Sequence, residues 1–512
     1  MSHGHTDEYL DKTAYLSYLQ CPKNAWLKMH RPDLGALFGP SQFERSLSTM
    51  GHEVELVAQS LFHHSDDAPV LFQPTFIFDG FTARADVLAF DGKSGLWDLY
   101  EIKASVSVKE ESGLDHIEDV SFQAVVIQGA GLDLGRVFIM HLNKDYVRGE
   151  ELGADQLFVS EDMTEHVQER ESETRENMHK ARSDLLQSSE DAVMCGCVYK
   201  GRSSHCATFK YSHPDVPAYS VHDIARIGSG GSGLKSLVDA GIYCLNDVPE
   251  FFHLTDIQNN QVGVYKTRMP IIRREDIRKA LKGLEYPLHF LDYETYAPAI
   301  PIFNGFHPFD HIPFQFSVHI ATDPESEPES FEYLHDDASD PTPIFIEELR
   351  SLIGPKGSII VWNKSFEQGI NTHMADRDLR SGDFLRNMND RIYDLMDIFK
   401  DQMYVHHEFE GRTSIKKILP VLVPGLGYED LEIQEGASAS QKWHDMVFGG
   451  LVPEEKEAVL RDLMDYCGHD TYAMYAIWKF LMREVSTPTK PSITETISVT
   501  TTDTATATST TP

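Results

Sequence analysis

Positive charge is what this chain has least of for its size: 45 Lys and Arg stand against 80 Asp and Glu, a formal net charge of -35 over 512 residues. A protein that coats nucleic acid by bulk electrostatics needs the opposite balance, so that class is excluded, although a few basic side chains meeting a backbone locally are not. Cysteine is also scarce, with six in the whole chain, too few for a disulfide framework. Long apolar runs are missing: no stretch approaches a membrane span, and Met1-Ser2-His3-Gly4-His5 lacks the apolar core of a secretion signal. The expectation is a cytoplasmic protein with no membrane partner, long enough for two or three domains with their own cores.

What is present centres on Leu291-Asp292-Tyr293-Glu294-Thr295, which follows the apolar run from Pro287 to Phe290. In a strand, Asp292 and Glu294 point to the same face, and two adjacent carboxylates are costly unless a cation sits between them. Hard oxygen donors suit Mg²⁺ or Mn²⁺. Far downstream, Tyr466 and Asp470 are four apart in a segment whose apolar residues keep helical spacing through Met474, Ile477 and Trp478, so they share a helix face. Between these motifs, Val361-Trp362-Asn363-Lys364-Ser365-Phe366-Glu367 reads as an apolar strand followed by Asn-x-x-Phe and an acid.

In this order the three motifs resemble the DEDD exonuclease superfamily in its tyrosine-bearing branch. The resemblance implies an RNase H-like fold in which Asp292, Glu294, Glu367 and Asp470 hold two metal ions and Tyr466 orients the attacking water, giving 3'-5' release of nucleotides. The superfamily usually has Asp where this chain has Glu367: either the site has adapted to the extra methylene, or Glu367 is no direct ligand. Asp394 reads as a helix cap or a neighbour of the site, and Lys416 and Lys417 as phosphate contacts or solvated lysines.

Residues 1 to 215 read as a second α/β unit. Helical patterns over Tyr9–Met29 and Gln42–His63 precede three β-rich runs, Phe72–Phe78, Thr82–Phe90 and Leu96–Ala104, separated by Asp/Gly turns. Glu101 and Lys103 share a strand face, and Asp86 on the neighbouring strand reaches the same spot. This resembles the PD-(D/E)XK nucleases, and implies that Asp86 and Glu101 hold a metal beside Lys103. In RecB-type members a histidine, here His52, is a further ligand; Gln123 matches the first residue of their Gln-containing motif, whose Tyr is replaced by Ile127.

The cysteines extend that resemblance to the iron–sulfur RecB-like nucleases, CRISPR-associated and AddB-type members among them. The resemblance implies that Cys21, Cys195, Cys197 and Cys206 hold a [4Fe–4S] cluster. Cys195 and Cys197 are closer than the family pattern, with Ser212 near an expected Cys, so a structural Zn²⁺ site or ordinary buried thiols remain open. Cys244 and Cys467 read as buried thiols.

Asp155–Glu190 reads as a polar helical stretch without chemistry. Residues 216–284 read as a helical connector in which Ile227 to Gly233 is a glycine-rich turn, distantly similar to helix-hairpin-helix elements, or a flexible link. Residues 285–485 form the RNase H-like domain, and 486–512, dominated by Ser, Thr and Pro, a disordered tail. Over residues 10 to 485 the chain resembles an uncharacterised bacterial family that fuses the two nuclease types. The expectation is an α/β, two-headed, metal-dependent nuclease acting on nucleic acid, with DNA favoured over RNA and both open. The alternative is a protein that binds nucleic acid or recruits a partner without cutting.

Overall fold

The computed structural model describes residues 9–111, 114–228, 230 and 233–486; the Ser/Thr-rich segment from 487 lies outside them, as does part of the glycine-rich turn. It is a mixed α/β protein whose two principal sheets each have five strands, both mixing parallel and antiparallel pairs.

The N-terminal helical pattern divides into α1 (Lys12–Gln20) and α2 (Pro22–His30), followed by α3 (Gln42–Gln59). The break falls at Cys21 because Pro22 has no N–H to continue the first helix and suits the first turn of the second. The first sheet comprises β1 (Val70–Phe72), β2 (Val87–Asp91), β3 (Leu96–Lys103), β4 (Leu134–Leu142) and β5 (Phe158–Asp162), in the order 5-4-3-2-1. The β2–β3 hairpin turns through Gly95 at positive φ and pairs Val87 with Tyr100. Between β3 and the parallel β4 runs α4 (His116–Gly129), buried from Ile117 to Ile127 and capped by Asp115, which accepts from the Ile117 and Glu118 N–H groups.

The polar stretch read as one helix contains strand β5 before α5 (Thr164–Leu185). β5 lies at the sheet edge with two exposed side chains running, so its sequence lacks the alternation of a half-buried strand.

The second sheet comprises β6 (Leu288–Tyr296), β7 (Ile312–Ala321), β8 (Glu329–Leu334), β9 (Ile359–Val361) and β10 (Ile392–Asp394), in the order 8-7-6-9-10. β6 is central, antiparallel to β7 and parallel to β9. Its two faces serve two cores: Leu288 and Phe290 pack under a C-terminal helix, while Leu291 and Tyr293 face Ile370 and Met374. The helices α6 (Arg274–Lys282), α7 (Lys364–Arg377), α8 (Ile415–Leu422), α9 (Gly436–Phe448) and α10 (Pro453–Ser486) surround the sheet. The sequence reading places α6 in the connector, yet Ile277 and Leu281 are buried in the α10 core and Ile271–Ile272 pairs with Tyr404–Val405. The two sheets meet where Val54, Ala58 and Val87 pack with Ala299, and where Arg148 donates to the Pro301 carbonyl at 2.8 Å.

Trp443 anchors the second core: its ring stacks on Phe314 at 4.6 Å and its indole N–H donates to the His335 carbonyl at 2.7 Å. Trp443→Ala is therefore expected to cost about 3–5 kcal/mol by urea denaturation. Phe251→Ala, at a site 91 % exposed, is expected to stay within about 0.5 kcal/mol.

Candidate functional site

Strand alternation puts Leu288, Phe290, Asp292 and Glu294 on one face of β6, and α10 crosses that face, with Tyr475 and Trp478 against Phe290. One and two turns earlier on α10 come Asp470 and Tyr466. Carboxylate oxygens of Asp292, Glu294 and Asp470 accordingly lie within 4.8 Å of one another. Glu367 enters from the opposite side, on the first turn of α7 beyond the end of β9, and lines the same cleft of about 220 Å³ with Asp292, Asp470, Tyr466, Lys416 and Trp362. It is not part of the tight triple, but it is buried and its Oε2 has no hydrogen-bond partner among the described residues.

Two further residues touch the acids, and of these Tyr428 carries no signal in the sequence. The Tyr428 hydroxyl donates to Asp470 Oδ1. Cys467 is buried, as read, but lies against Asp292, its Sγ 4.0 Å from Oδ2. Asp394 is the N-cap of neither helix beside it but a neighbour of the site: it accepts from the Lys364 N–H at 3.2 Å and the Met396 N–H at 3.1 Å, and its charge acts on Glu367. Of the lysine pair, Lys417 bonds Glu410 at 2.7 Å while Lys416 faces the cleft.

Burial, then the like charges of Asp470, Glu294 and Glu367, push the Asp292 carboxyl well above the usual range. Burial and Asp470 do the same to Glu294. Burial, with a smaller push from Asp394, raises Glu367 to about 8. Asp470 rises only to about 6, because the Tyr428 hydrogen bond and the Lys416 charge oppose its burial. Crowded oxygens that resist ionising together, one of them an orphan, fit a hard divalent cation as the missing partner.

The N-terminal residues assemble differently. Glu101 and Lys103 do share a face of β3, and the Lys103 ammonium lies 2.8 Å from Glu101 Oε1. Lys12 of α1 reaches the same oxygen at 2.8 Å and Asp119 Oδ1 at 2.9 Å, while Gln123 donates to Glu101 Oε2 at 2.6 Å. Lys103 also pairs with Asp119. Burial pushes the Glu101 carboxyl up, but the Lys103 and Lys12 charges overcome it and hold it well below the usual range. Asp86 sits at the bend before β2, accepts from the Ile102 N–H at 2.8 Å, and is pushed to about 8 by burial and then Glu101.

His52 does not join them. Its side chain is 64 % exposed and its ion-pair partner is Glu55, at 4.0 Å. The helix explains this: Val54 and Ala58 turn inward, and at about 100° per residue His52 faces the other way. Among the described residues, His52, Asp86 and Glu101 form no common ion site. With both Glu101 oxygens taken by Lys12, Lys103 and Gln123, this set does not fit a divalent metal. Lys12 and Asp119 belong to no motif; their only sequence signal is that Asp119 and Gln123 are four apart on one helix.

The four cysteines converge. Cys21, at the α1–α2 break, and Cys195, Cys197 and Cys206, in a run of short turns, place their Sγ atoms within 4.8 Å of one another. Cys21 to Cys195 is 3.7 Å and Cys195 to Cys206 is 3.8 Å. Mutual hydrogen bonds among the thiols push Cys197 and Cys206 down and Cys21 and Cys195 up, so the four share protons as one set. Such a set can bind a metal ion.

Fold and site thus define a mixed α/β protein with an all-oxygen carboxylate cleft and a separate four-thiol cluster. Residues 289–414, which include Asp292, Glu294 and Glu367, match a family described as Domain of unknown function (DUF2779). Over 302 residues, 54 % of this chain and 41 % of the relative, the sequence is 27 % identical to Uncharacterized protein UU173 of Ureaplasma parvum serovar 3. Over 210 residues it is 25 % identical to the Uncharacterized protein MG366 homolog of Mycoplasma pneumoniae, covering 38 % of this chain and 32 % of that one. The chain therefore spans about two fifths of the first relative's length and about a third of the second's. No helix among the described residues is long and apolar enough to cross a membrane.

The cleft makes the cation-free protein sensitive to pH. An acid whose folded pKa is raised contributes stability in full below its unfolded pKa, and that contribution is lost as pH rises through the folded value. For Glu367 the window runs from 4.5 to about 8. Thermal melts without divalent ions should lose stability across this window, less so in Asp292→Asn. The rise in Tm on adding Mn²⁺ should be larger near the top of the window than near the bottom; the binding free energy behind it is about 3 kcal/mol at a hundredfold excess over Kd.

Proposed function

We propose that the chain is a metal-dependent nuclease whose cutting centre is the carboxylate cleft, releasing nucleotides from a strand end. The observation that carries this reading is the meeting of Asp292, Glu294 and Asp470, drawn from almost two hundred residues of sequence, opposite the orphaned Glu367 oxygen. The 8-7-6-9-10 strand order, with one antiparallel and one parallel half, supports an RNase H-like core. Asp292, Glu294 and Asp470, with Glu367 opposite, would hold Mg²⁺ or Mn²⁺, which when bound makes water acidic and offsets charge on the leaving oxygen. In hydrolysis the water oxygen bonds to phosphorus, the bond from phosphorus to the sugar oxygen breaks, and that oxygen takes up a proton.

The side chains divide the remaining work. The Tyr466 phenol, pushed far up by burial and the neighbouring acids, stays protonated and orients the attacking water. Tyr428 fixes one Asp470 oxygen. Trp362 and Phe366 line the cleft, and aromatic side chains there favour an unpaired strand end, whose bases are free to stack.

The strand, turn and helix order of the N-terminal sheet around Asp86, Glu101, Lys103 and Gln123 supports a PD-(D/E)XK-like core. Because Lys12 occupies the space beside Glu101 and Asp119, we assign this centre no cutting step. The specific observation favours a binding or structural role there.

At the cysteines, thiol separations of 3.7 and 3.8 Å match the edge, about 3.8 Å, of a tetrahedron built on ~2.3 Å metal–sulfur bonds. The same four thiolates are also the donor set of a four-iron cluster, so the metal content decides between the two. The reading is a single tetrahedral ion, Zn²⁺ by ligand preference, tying α1–α2 to the turns that follow α5.

With Mn²⁺ and a 5'-labelled single strand, Asp292→Ala should lower nucleotide release about a thousandfold or more; unchanged release would overturn the assignment. Elemental analysis of anaerobically purified protein should find about one zinc-type ion per chain, lost in Cys21→Ser. A brown, iron-rich protein would overturn the single-ion reading.

A further inference from the structure

Within the cleft so assigned, we propose that Lys416 is a substrate contact, its ammonium binding a non-bridging oxygen of the phosphate being cut. The inference rests on the nuclease reading and adds a residue that none of the three acidic motifs contains.

Lys416 is the one cationic side chain among the residues lining the cleft. Among the described residues no carboxylate lies within ion-pair distance, 4.0 Å, of it, although its neighbour Lys417 is committed to Glu410. It is held rather than loose. Its ammonium donates to the Gln434 carbonyl and to Tyr466 Oη at 3.4 Å, and lies 5.2 and 5.3 Å from the ring centres of Tyr428 and Tyr466. Ile415, Ile418, Leu419 and Leu422 bury the other face of α8, which fixes the lysine's approach. Donation into the Tyr466 oxygen leaves the phenolic hydrogen free to point toward Asp470 and the water.

Charge counting gives the ammonium its purpose. The three acids of the tight group already outweigh one divalent cation, so a phosphodiester entering the cleft brings a further negative charge that such an ion does not offset. Lys416 supplies the counter-charge, and the developing charge of hydrolysis strengthens the contact. A lysine serving only to tie the Gln434 loop would need no exposure to the cleft.

The test uses the full chain with Lys416→Met, Lys416→Arg and Lys417→Met. Calorimetric titration with Mn²⁺ should show Lys416→Met binding the ion as tightly as the parent or several-fold tighter, because a positive charge beside the acids is gone. Anisotropy with a short labelled single strand in Ca²⁺ should show about tenfold weaker binding. The slope of log K against log salt should shrink by about 0.7, the value for one lost phosphate contact on a single strand. In Mn²⁺, kcat should fall about a hundredfold, with partial recovery in Lys416→Arg and no change in Lys417→Met. Intact Mn²⁺ binding with unchanged oligonucleotide affinity and salt slope would overturn the role of Lys416. So would loss of Mn²⁺ binding with the fold, which marks a structural lysine. A parent protein that binds Mn²⁺ and the strand but never cuts would overturn the nuclease reading instead, leaving the salt slope to decide the phosphate contact.

Discussion

Buried like charge is the constraint on which the C-terminal half depends. Asp292, Glu294 and Asp470 lie within 4.8 Å of one another in a cleft walled by Trp362, Ile415 and Met474, and each would be more stable protonated or elsewhere. The fold opposes that tendency with rigid parts: a central strand buried on both faces, a 34-residue helix laid across it, and the Tyr428 hydroxyl on Asp470. Such an arrangement stores repulsion that a divalent cation relieves, which is a reason to build it only where a cation is used.

The N-terminal half handles like charge by the opposite means. Asp119 and Glu101 are as buried as the C-terminal acids, but two ammonium groups and an amide already satisfy them. Buried carboxylates therefore have different chemical meaning in the two halves. One set is short of positive charge, and the other has its own.

What the sequence disclosed follows from how local its rules are. Alternation in a strand put Asp292 beside Glu294, and helical spacing put Tyr466 near Asp470; both relations need only a few neighbouring residues. Glu101 and Lys103 were legible for the same reason. Lys12, Asp119 and Tyr428 reach their partners from segments 42 to 107 residues away, through contacts that only the assembled core defines. His52 was misplaced because its direction depends on which side of α3 is buried, set by Val54 and Ala58 meeting the sheet. Strand β5 was hidden by its edge position. The cysteines were legible as a set, but their meeting, across up to 185 residues of chain, is tertiary.

The central claim is that the scattered acids share divalent cations, and the direct measurement is anomalous diffraction from crystals soaked in Mn²⁺. The account predicts anomalous peaks bounded by Asp292, Glu294 and Asp470 and extending toward Glu367, with none beside Glu101. Manganese that bypasses this cleft, while the four carboxyl groups keep their positions, would contradict it.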